Sequence, residues 1–594
     1  MTIKSACGFD CYDACAIEAS YEDGELKLQA DNSHPYSNGA LCRVVNQELL
    51  KATRITKPMI DGKEVSMSEA LDEVARVLDS NSLLWRGSGN FGVMQQITDV
   101  LMSKLDGYTT KGTLCDGAGD AGVLEGRGIN KTLSPQQIAK ADVVVVWGRN
   151  ITVTNSHLMP FIEGKELIVI DPIKIPIAKK ANLHVQIKPR MDYYLAIMLA
   201  RFVFMDGCED NSWCEEFASE YEEFYEYTRE HRIKAILEEM GIDLAIMGQM
   251  IEYIRDKKVV FLVGNGVQKY SIGSYVLHAI DSLGATLGLF GKEGCGVDFI
   301  SNSKLGFDNP FDVKSKKVHK VNTPFSKHNT VLVQGGNPAE SMPNSNKVRD
   351  ELSKVSNLIY FGLYENETSR LSRIVIPAKN FLEKDDIRVS YGHGYVHKMN
   401  KVLECEFGIS EYEFTKEIFA RLKLDGLKSE DEYISHWLKQ VKVEENTMLS
   451  PSYEEIPYQD GFGDDGDEFE FIDDFDDDFI DTKRFRKIRK KKHSDDERLW
   501  LITPKASNSI NTQFNQYNKA TLHPSLGYKQ GDMIELSSEY GSAIFEVELS
   551  EDVRVDCVVV KANAKNVNVL TPDIVSEYGD GACYQEVKIT HKKV

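Results

Sequence analysis

The chain has 594 residues, 42% of them apolar, and a formal net charge of −22 from 70 Lys and Arg against 92 Asp and Glu. Such an excess of acid argues against nucleic acid as a partner, because phosphate contacts need clustered cations. The length exceeds what one hydrophobic core supports, so several domains are expected and core size does not limit stability.

The chain opens MTIKSACGFDC, with no apolar stretch of signal-peptide type and no twin-arginine pair, and no later apolar run is long enough to span a bilayer. A cytoplasmic protein without direct membrane insertion is expected, one that could reach the inner face of the membrane only through partner subunits. Its cysteines are then thiols or metal ligands, not disulfides. Residues 1–60 are turn-rich and place Cys7, Cys11 and Cys15 at intervals of four, with Cys42 further on. Three thiolates on one short loop, closed by a distant fourth, suit a 4Fe-4S cluster. A zinc site is the alternative, although zinc sites usually pair their cysteines in two knuckles. Unligated core cysteines are a third possibility.

Residues 61–454 read as α/β. A helix-like SMSEALDEVARVLDS is followed by the strand-like SLLWRGSG. Apolar runs then recur at 143–147, 167–171, 259–264, 330–336, 358–362 and 373–378, with helical stretches such as 193–207 between them. Continuous apolar runs alternating with helices predict doubly wound parallel sheets covered on both faces. Several runs end in Gly or Asp-Pro, where ligands bind at the carboxyl edge of a sheet.

Residues 464–481 hold eleven acids, and 483–492 hold eight Lys or Arg. Blocks of like charge pack poorly, so 455–495 is expected to be a charged insertion or linker, with Phe among the acids suggesting an arm for a partner subunit. From 496 to 594 the pattern is β-rich, and alternation near 547–563 predicts a barrel or sandwich.

Several stretches together carry a resemblance: CGFDCYDAC with GALCR, WRGSGNFG, GTLCDGAGDAG, WGRNITVTNSHLMP, VIDPIKIPIAKKANLHVQIKPRMD, GNGVQKYSIG, QGGNPAESMP, LWLITPKASNSINTQF and NVNVLTPD. In this order they resemble the molybdopterin oxidoreductases, the bis-molybdopterin guanine dinucleotide family that includes formate dehydrogenases, nitrate reductases and dimethyl sulfoxide reductases. The resemblance implies a multi-domain α/β architecture with an N-terminal iron–sulfur subdomain, dinucleotide-binding domains and a C-terminal β-barrel. It implies a bis-molybdopterin guanine dinucleotide with molybdenum or tungsten, and Cys115 falls where the family ligates that metal. Gly89, Gly148, Gly264, Gly266 and Gly336 would let backbone approach pyrophosphate. Asp171 and Asp192 would accept from ribose or guanine, or simply cap helices. Asn150, Asn337 and Asn568 suit pterin and guanine edges, or turns. Asn90, Pro172, Thr503 and Asn511 lie in the same motifs. Arg149 and His157, near the metal-facing loop, would bind an anionic substrate or move protons.

Two positions depart from the family pattern. The Lys that bridges cluster and pterin in many members is Val44 here, with Arg43 as the neighbouring cation. The His that follows the metal ligand in formate dehydrogenases is Asp116, whose charge disfavours formate. The functional expectation is an oxidoreductase acting on a small-molecule substrate with an electron-transfer partner subunit. The alternatives are a molybdenum-free electron-transfer subunit, like the large subunit of respiratory NADH:quinone oxidoreductase, and a metal-free binding protein on the same fold.

Overall fold

The computed structural model describes residues 2–22, 25–45, 49, 52–463, 468–475, 497–507 and 509–594. Two parallel sheets organise it. The first has five strands in the order Leu183–Val185, Glu166–Ile170, Val143–Trp147, Val259–Val263 and Gly296–Asp298, all parallel. The second has eight strands. Six run parallel in the order Lys316–His319, Tyr108–Lys111, Leu83–Arg86, Thr330–Gln334, Asn357–Gly362 and Ile374–Pro377, and a short antiparallel hairpin at 59–64 closes one edge. Every residue of Val143–Trp147, Val259–Val263 and Thr330–Gln334 is buried, as expected for strands covered on both faces.

Helix Asp192–Asp206 shows how the covering works. Ten of its residues are buried, and it packs against helix Gly273–Thr286 over the first sheet. Helices Met67–Val77, Glu411–Leu422 and Glu430–Leu438 cover the second sheet, each started by a Ser–Glu capping box.

Three β units surround this frame. Ile3–Ala6, Ala16–Glu22 and Glu25–Ala30 form an antiparallel meander at the N-terminus. Its apolar face packs against Phe381, Leu382 and Met399, the last of these in the four-stranded sheet built from Asp386–Val389, Tyr395–Met399, Thr447–Leu449 and Lys442–Glu444. Six strands between Leu499 and Lys593 close into a barrel. Among the described residues no helix is long and apolar enough to cross a membrane.

The segment 455–495 departs from its expected character as a linker wherever it is described. Tyr458, Phe462, Phe469, Phe471 and Ile472 are buried in the core of the first sheet. Phe469–Glu470 pairs in parallel with Ala218–Ser219, and Phe475 stacks on Tyr275 at 4.1 Å. Phe469, Phe471 and Phe475, expected in an arm for a partner, thus pack in this chain's own core, while Phe479 lies outside the described residues. The basic block 483–492 lies outside the described residues.

Candidate functional site

The carboxyl ends of the two sheets face one cavity of about 1390 Å³, larger than a drug-sized pocket. Its walls begin at glycine turns. In one, Gly148 at φ 58° follows the strand ending at Trp147, and a Cβ on neighbouring Gly264 would lie 2.4 Å from the Gly148 carbonyl. In the other, Gly335 at φ 57° follows Gln334, and a Cβ on Gly87 would lie 2.4 Å from the Gly335 carbonyl. The N–H groups of Gly148, Gly264, Gly87 and Gly335 hold the turns, donating to the Ile170, Trp147, Gln334 and Phe361 carbonyls, so what the turns bring to the cavity wall is close backbone without side chains.

The sequence-derived residues distribute around this cavity as follows. Gly89, Asn90, Gly336, Asn337 and Asn568 line the side at the second sheet. Gly148, Asn150, Asp171, Pro172, Asp192, Gly264 and Gly266 line the side at the first. Thr503 and Asn511 enter from the barrel domain. Asp171 and Asp192 are buried together. Burial lifts both carboxyls to about 7, although Asp171 accepts from Ile173 N and Asp192 accepts from Trp147 Nε1 at 2.7 Å.

At the other side Asn337 donates to Glu340 at 3.0 Å and Glu367 at 3.2 Å, while its Oδ1 accepts from Thr368. Burial and then the adjacent Glu367 push Glu340 up to about 8. These two carboxylates have no motif of their own in the sequence; they are found only by following Asn337.

Cys115 is exposed, but to the cavity it lines. Its sulfur accepts a hydrogen bond from Asn265 Nδ2 at 3.1 Å, and its carbonyl accepts from Gln268 Nε2 at 2.6 Å and from Lys269. Burial and the Asp116 charge push the bare thiol up to about 11, with Lys269 opposing. Asn265 and Lys269 were missed in the sequence, where they are ordinary polar residues of GNGVQKYSIG. Also missed were Lys304 and Lys320, which burial and then Arg86 lower to about 8 on the cavity wall.

Three expected site residues are placed differently. Arg43 is exposed and does not line the cavity, while Val44 is buried beside the cysteine loop. Arg43 therefore does not take the place of the missing Lys between the cysteines and the cavity. Arg149 lines the cavity, but its Nη1 is committed to Asp298 at 2.7 Å and its guanidinium lies 4.6 Å from the Tyr12 ring centre. His157 does not line the cavity. A 3₁₀ turn at Ser156–Leu158 directs it to the cysteine loop, with Cys15 Sγ 3.8 Å from Nε2 and 4.0 Å from Nδ1. There Asp13 accepts from Nδ1 at 2.7 Å and the Ala40 carbonyl from Nε2 at 3.0 Å. Burial lowers the His157 pKa, but these acceptors more than reverse that and leave it raised.

The cysteine loop is built tightly. Cys7 N donates to the Cys15 carbonyl at 2.9 Å, and a Cβ on Gly8 would strike Phe381 at 2.4 Å. Phe91 N donates to the Gly8 carbonyl at 2.7 Å, tying the loop to the cavity wall. Burial and then Cys42 push Cys7 up to about 12, and burial and then Asp13 lift Cys11 and Cys15 well above the usual thiol range. Cys42 acts electrostatically on all three. Among the described residues no three His, Cys, Asp or Glu side chains converge tightly enough for a single metal ion.

Arg388 is fully buried and donates to the carbonyls of Cys7 at 3.0 Å, Phe9 at 3.2 Å and Cys11 at 2.8 Å. Its other contacts are the Val389 carbonyl and the Phe91 ring, and among the described residues no carboxylate lies within ion-pair distance of it. Four thiols and a buried cation without an ion-pair partner fit a group that is soft in its ligand preference and negative overall once the thiolates are bound.

A family model described as Molybdopterin oxidoreductase matches residues 54–418, and one described as Molydopterin dinucleotide binding domain matches 499–588. The chain is 26% identical over 516 residues to "Probable oxidoreductase YyaE" of Bacillus subtilis (strain 168), covering 76% of this chain and 77% of that protein. It is 22% identical over 438 residues to the assimilatory nitrate reductase catalytic subunit of the same organism, covering 63% of this chain and 59% of that one. Acetylene hydratase from Pelobacter acetylenicus shares the fold with a TM-score of 0.76 at 15% identity, and each chain is covered in full.

Proposed function

The chain belongs to the molybdopterin oxidoreductase family, and on that premise we propose that it is the catalytic subunit of an oxidoreductase that couples two-electron chemistry on a small substrate to one-electron transfer through a 4Fe-4S cluster. The observation that carries this reading is Cys115, a thiol facing the cavity between two glycine-turned sheet edges. A bound bis-molybdopterin guanine dinucleotide would supply a molybdenum or tungsten centre able to exchange an electron pair with the substrate.

The chain's own residues then have defined tasks. Cys115 is the protein ligand to that metal, and Asn265 orients its sulfur. Asp171 and Asp192 at one sheet edge, and Glu340 with Glu367 at the other, are acceptors for the ribose and guanine N–H groups of the two nucleotides. Lys304, Lys320 and Arg86 give the wall positive charge for an anion, whether cofactor pyrophosphate or an oxyanion substrate. Asp116 beside Cys115 makes formate a poor candidate. Cys7, Cys11, Cys15 and Cys42 hold the cluster, and a partner subunit exchanges electrons with it.

Purified Cys115→Ala protein tests the reading. It is expected to keep its iron and its thermal transition, since Cys115 packs in no core cluster, while its molybdenum or tungsten falls away. Unchanged molybdenum or tungsten in the variant would remove Cys115 from the site.

A further inference from the structure

Lys304 and Lys320 are half-buried cations on the cavity wall to which the fold gives no counter-ion. Among the described residues no carboxylate lies within ion-pair distance of either. The Lys320 ammonium donates to the Arg86 carbonyl at 2.7 Å and lies 5.0 Å from the Trp85 ring centre. Arg86 itself pairs with Asp99. At each ammonium Arg86 is the strongest neighbouring charge, ahead of Asp99 and Asp312 for Lys304 and ahead of Asp10, Asp99 and Asp116 for Lys320. Like charges crowded on a half-buried wall repel, and a bound anion relieves that repulsion.

The second sheet separates these lysines from the nucleotide turns. Its strands run in the order Lys316–His319, Tyr108–Lys111, Leu83–Arg86 and Thr330–Gln334. The Gly87 and Gly335 turns meet between the last two of these. Lys320 follows the first, on the opposite side of Leu83–Arg86, where its N–H donates to the Lys111 carbonyl at 2.9 Å. The chain leaving Lys111 leads directly to Cys115. Lys304 reaches the same region from the loop after Ser301, within the field of Asp99 on helix Ile97–Lys104. That helix packs on strands Leu83–Arg86 and Tyr108–Lys111.

We propose that Lys304 and Lys320 form an anion site on the Cys115 side of strand Leu83–Arg86, apart from the glycine turns, and that this site selects a trigonal or tetrahedral oxyanion over a neutral substrate. The site rests on the reading of Cys115 and its cavity given above, and it assigns these lysines to the substrate rather than to cofactor pyrophosphate. Such an oxyanion has oxygens enough to accept from both ammonium groups and to turn another toward Cys115. Asp116 disfavours an anion whose whole charge sits beside Cys115. The lysines hold the charge of a larger oxyanion at the neighbouring strand.

The test is lysine acetylation by N-hydroxysuccinimide acetate, timed by peptide mass spectrometry on the full-length protein after its metals have been measured. Parallel reactions contain nitrate, selenate, neutral dimethyl sulfoxide, or chloride at equal ionic strength. In metal-loaded protein nitrate or selenate is expected to slow labelling of Lys304 and Lys320 about tenfold, the effect of one charge-assisted hydrogen bond at each amine. Dimethyl sulfoxide and chloride are expected to leave it unchanged, and exposed Lys63 is expected to label equally throughout. In Lys320→Gln the nitrate concentration that half-protects Lys304 is expected to rise about tenfold, by the same loss of one charged hydrogen bond. Equal labelling of metal-loaded wild-type protein with and without both oxyanions overturns the proposal. Protection confined to cofactor-free protein also overturns it, since the lysines would then belong to the pyrophosphate. Wild-type protein that holds neither molybdenum nor tungsten would defeat the pterin reading itself, and the metal analysis shows that failure separately from the labelling.

Discussion

Arg388→Met removes the guanidinium that clasps the cysteine loop. The Cys7 and Cys11 carbonyls then lose this donor, the first fully buried and the second partly so, and the Phe9 carbonyl is left with Cys11 N alone. Each unsatisfied buried carbonyl costs about 1–3 kcal/mol, and some of that is recovered as the loop relaxes toward water. A net loss of about 3–4 kcal/mol is the working figure for carbonyls left short of a donor. At 1.4 kcal/mol per factor of ten, the loop opens on the order of 10²–10³ times more often. Iron release into a chelator under anaerobic conditions measures this directly, and the variant is expected to lose iron faster by that order. Arg388→Lys keeps the charge but not the fork that reaches three carbonyls, so its rate is expected to lie between the two. Arg388→Met releasing iron at the wild-type rate would refute the role assigned to the clasp.

Gly264→Ala places a Cβ 2.4 Å from the Gly148 carbonyl and 2.6 Å from Arg149 Cα, which forces the two turns apart at about 1–3 kcal/mol; nucleotide released by acid denaturation should fall, whereas Gly248→Ala, with open space around it, should release the wild-type amount. Glu340 in the folded chain holds its proton up to about 8, against 4.5 ordinarily, so folding takes up a proton between those values and stability falls as pH rises through that window. Glu340→Gln should flatten this dependence in melting curves taken from pH 5 to 8, and an unchanged slope would show that the carboxyl is not held protonated. Asp281→Asn leaves Arg127 buried with its carboxylate partner gone, both side chains being 0% exposed; urea unfolding should report a loss of about 3–5 kcal/mol.

Much of the frame was legible in the sequence because parallel strands covered on both faces appear as unbroken apolar runs. VVVVW and TVLVQ became central strands of the two sheets, and the glycines after them became the turns that open the cavity. The C-terminal alternation closed into a barrel. The acidic segment misled because composition outweighs period in such a stretch. Phe469, Glu470 and Phe471 alternate buried, exposed, buried, which marks a strand rather than a linker.

Site residues that act through distant partners were not legible. Arg388 meets Cys7 across 381 positions of sequence, and nothing local marks it. Asn265 and Glu340 gain their meaning only from what the fold brings to them. His157 sits among cavity-lining residues in the sequence, yet a single 3₁₀ turn is enough to send it to the cysteines.

The central claim is that this chain carries a pterin-bound metal and a cluster together. Iron, molybdenum and tungsten should be measured per chain in protein purified anaerobically from cells that make the cofactor. The account predicts about four iron together with one equivalent of molybdenum or tungsten. Iron without either metal, or either metal without iron, would contradict it.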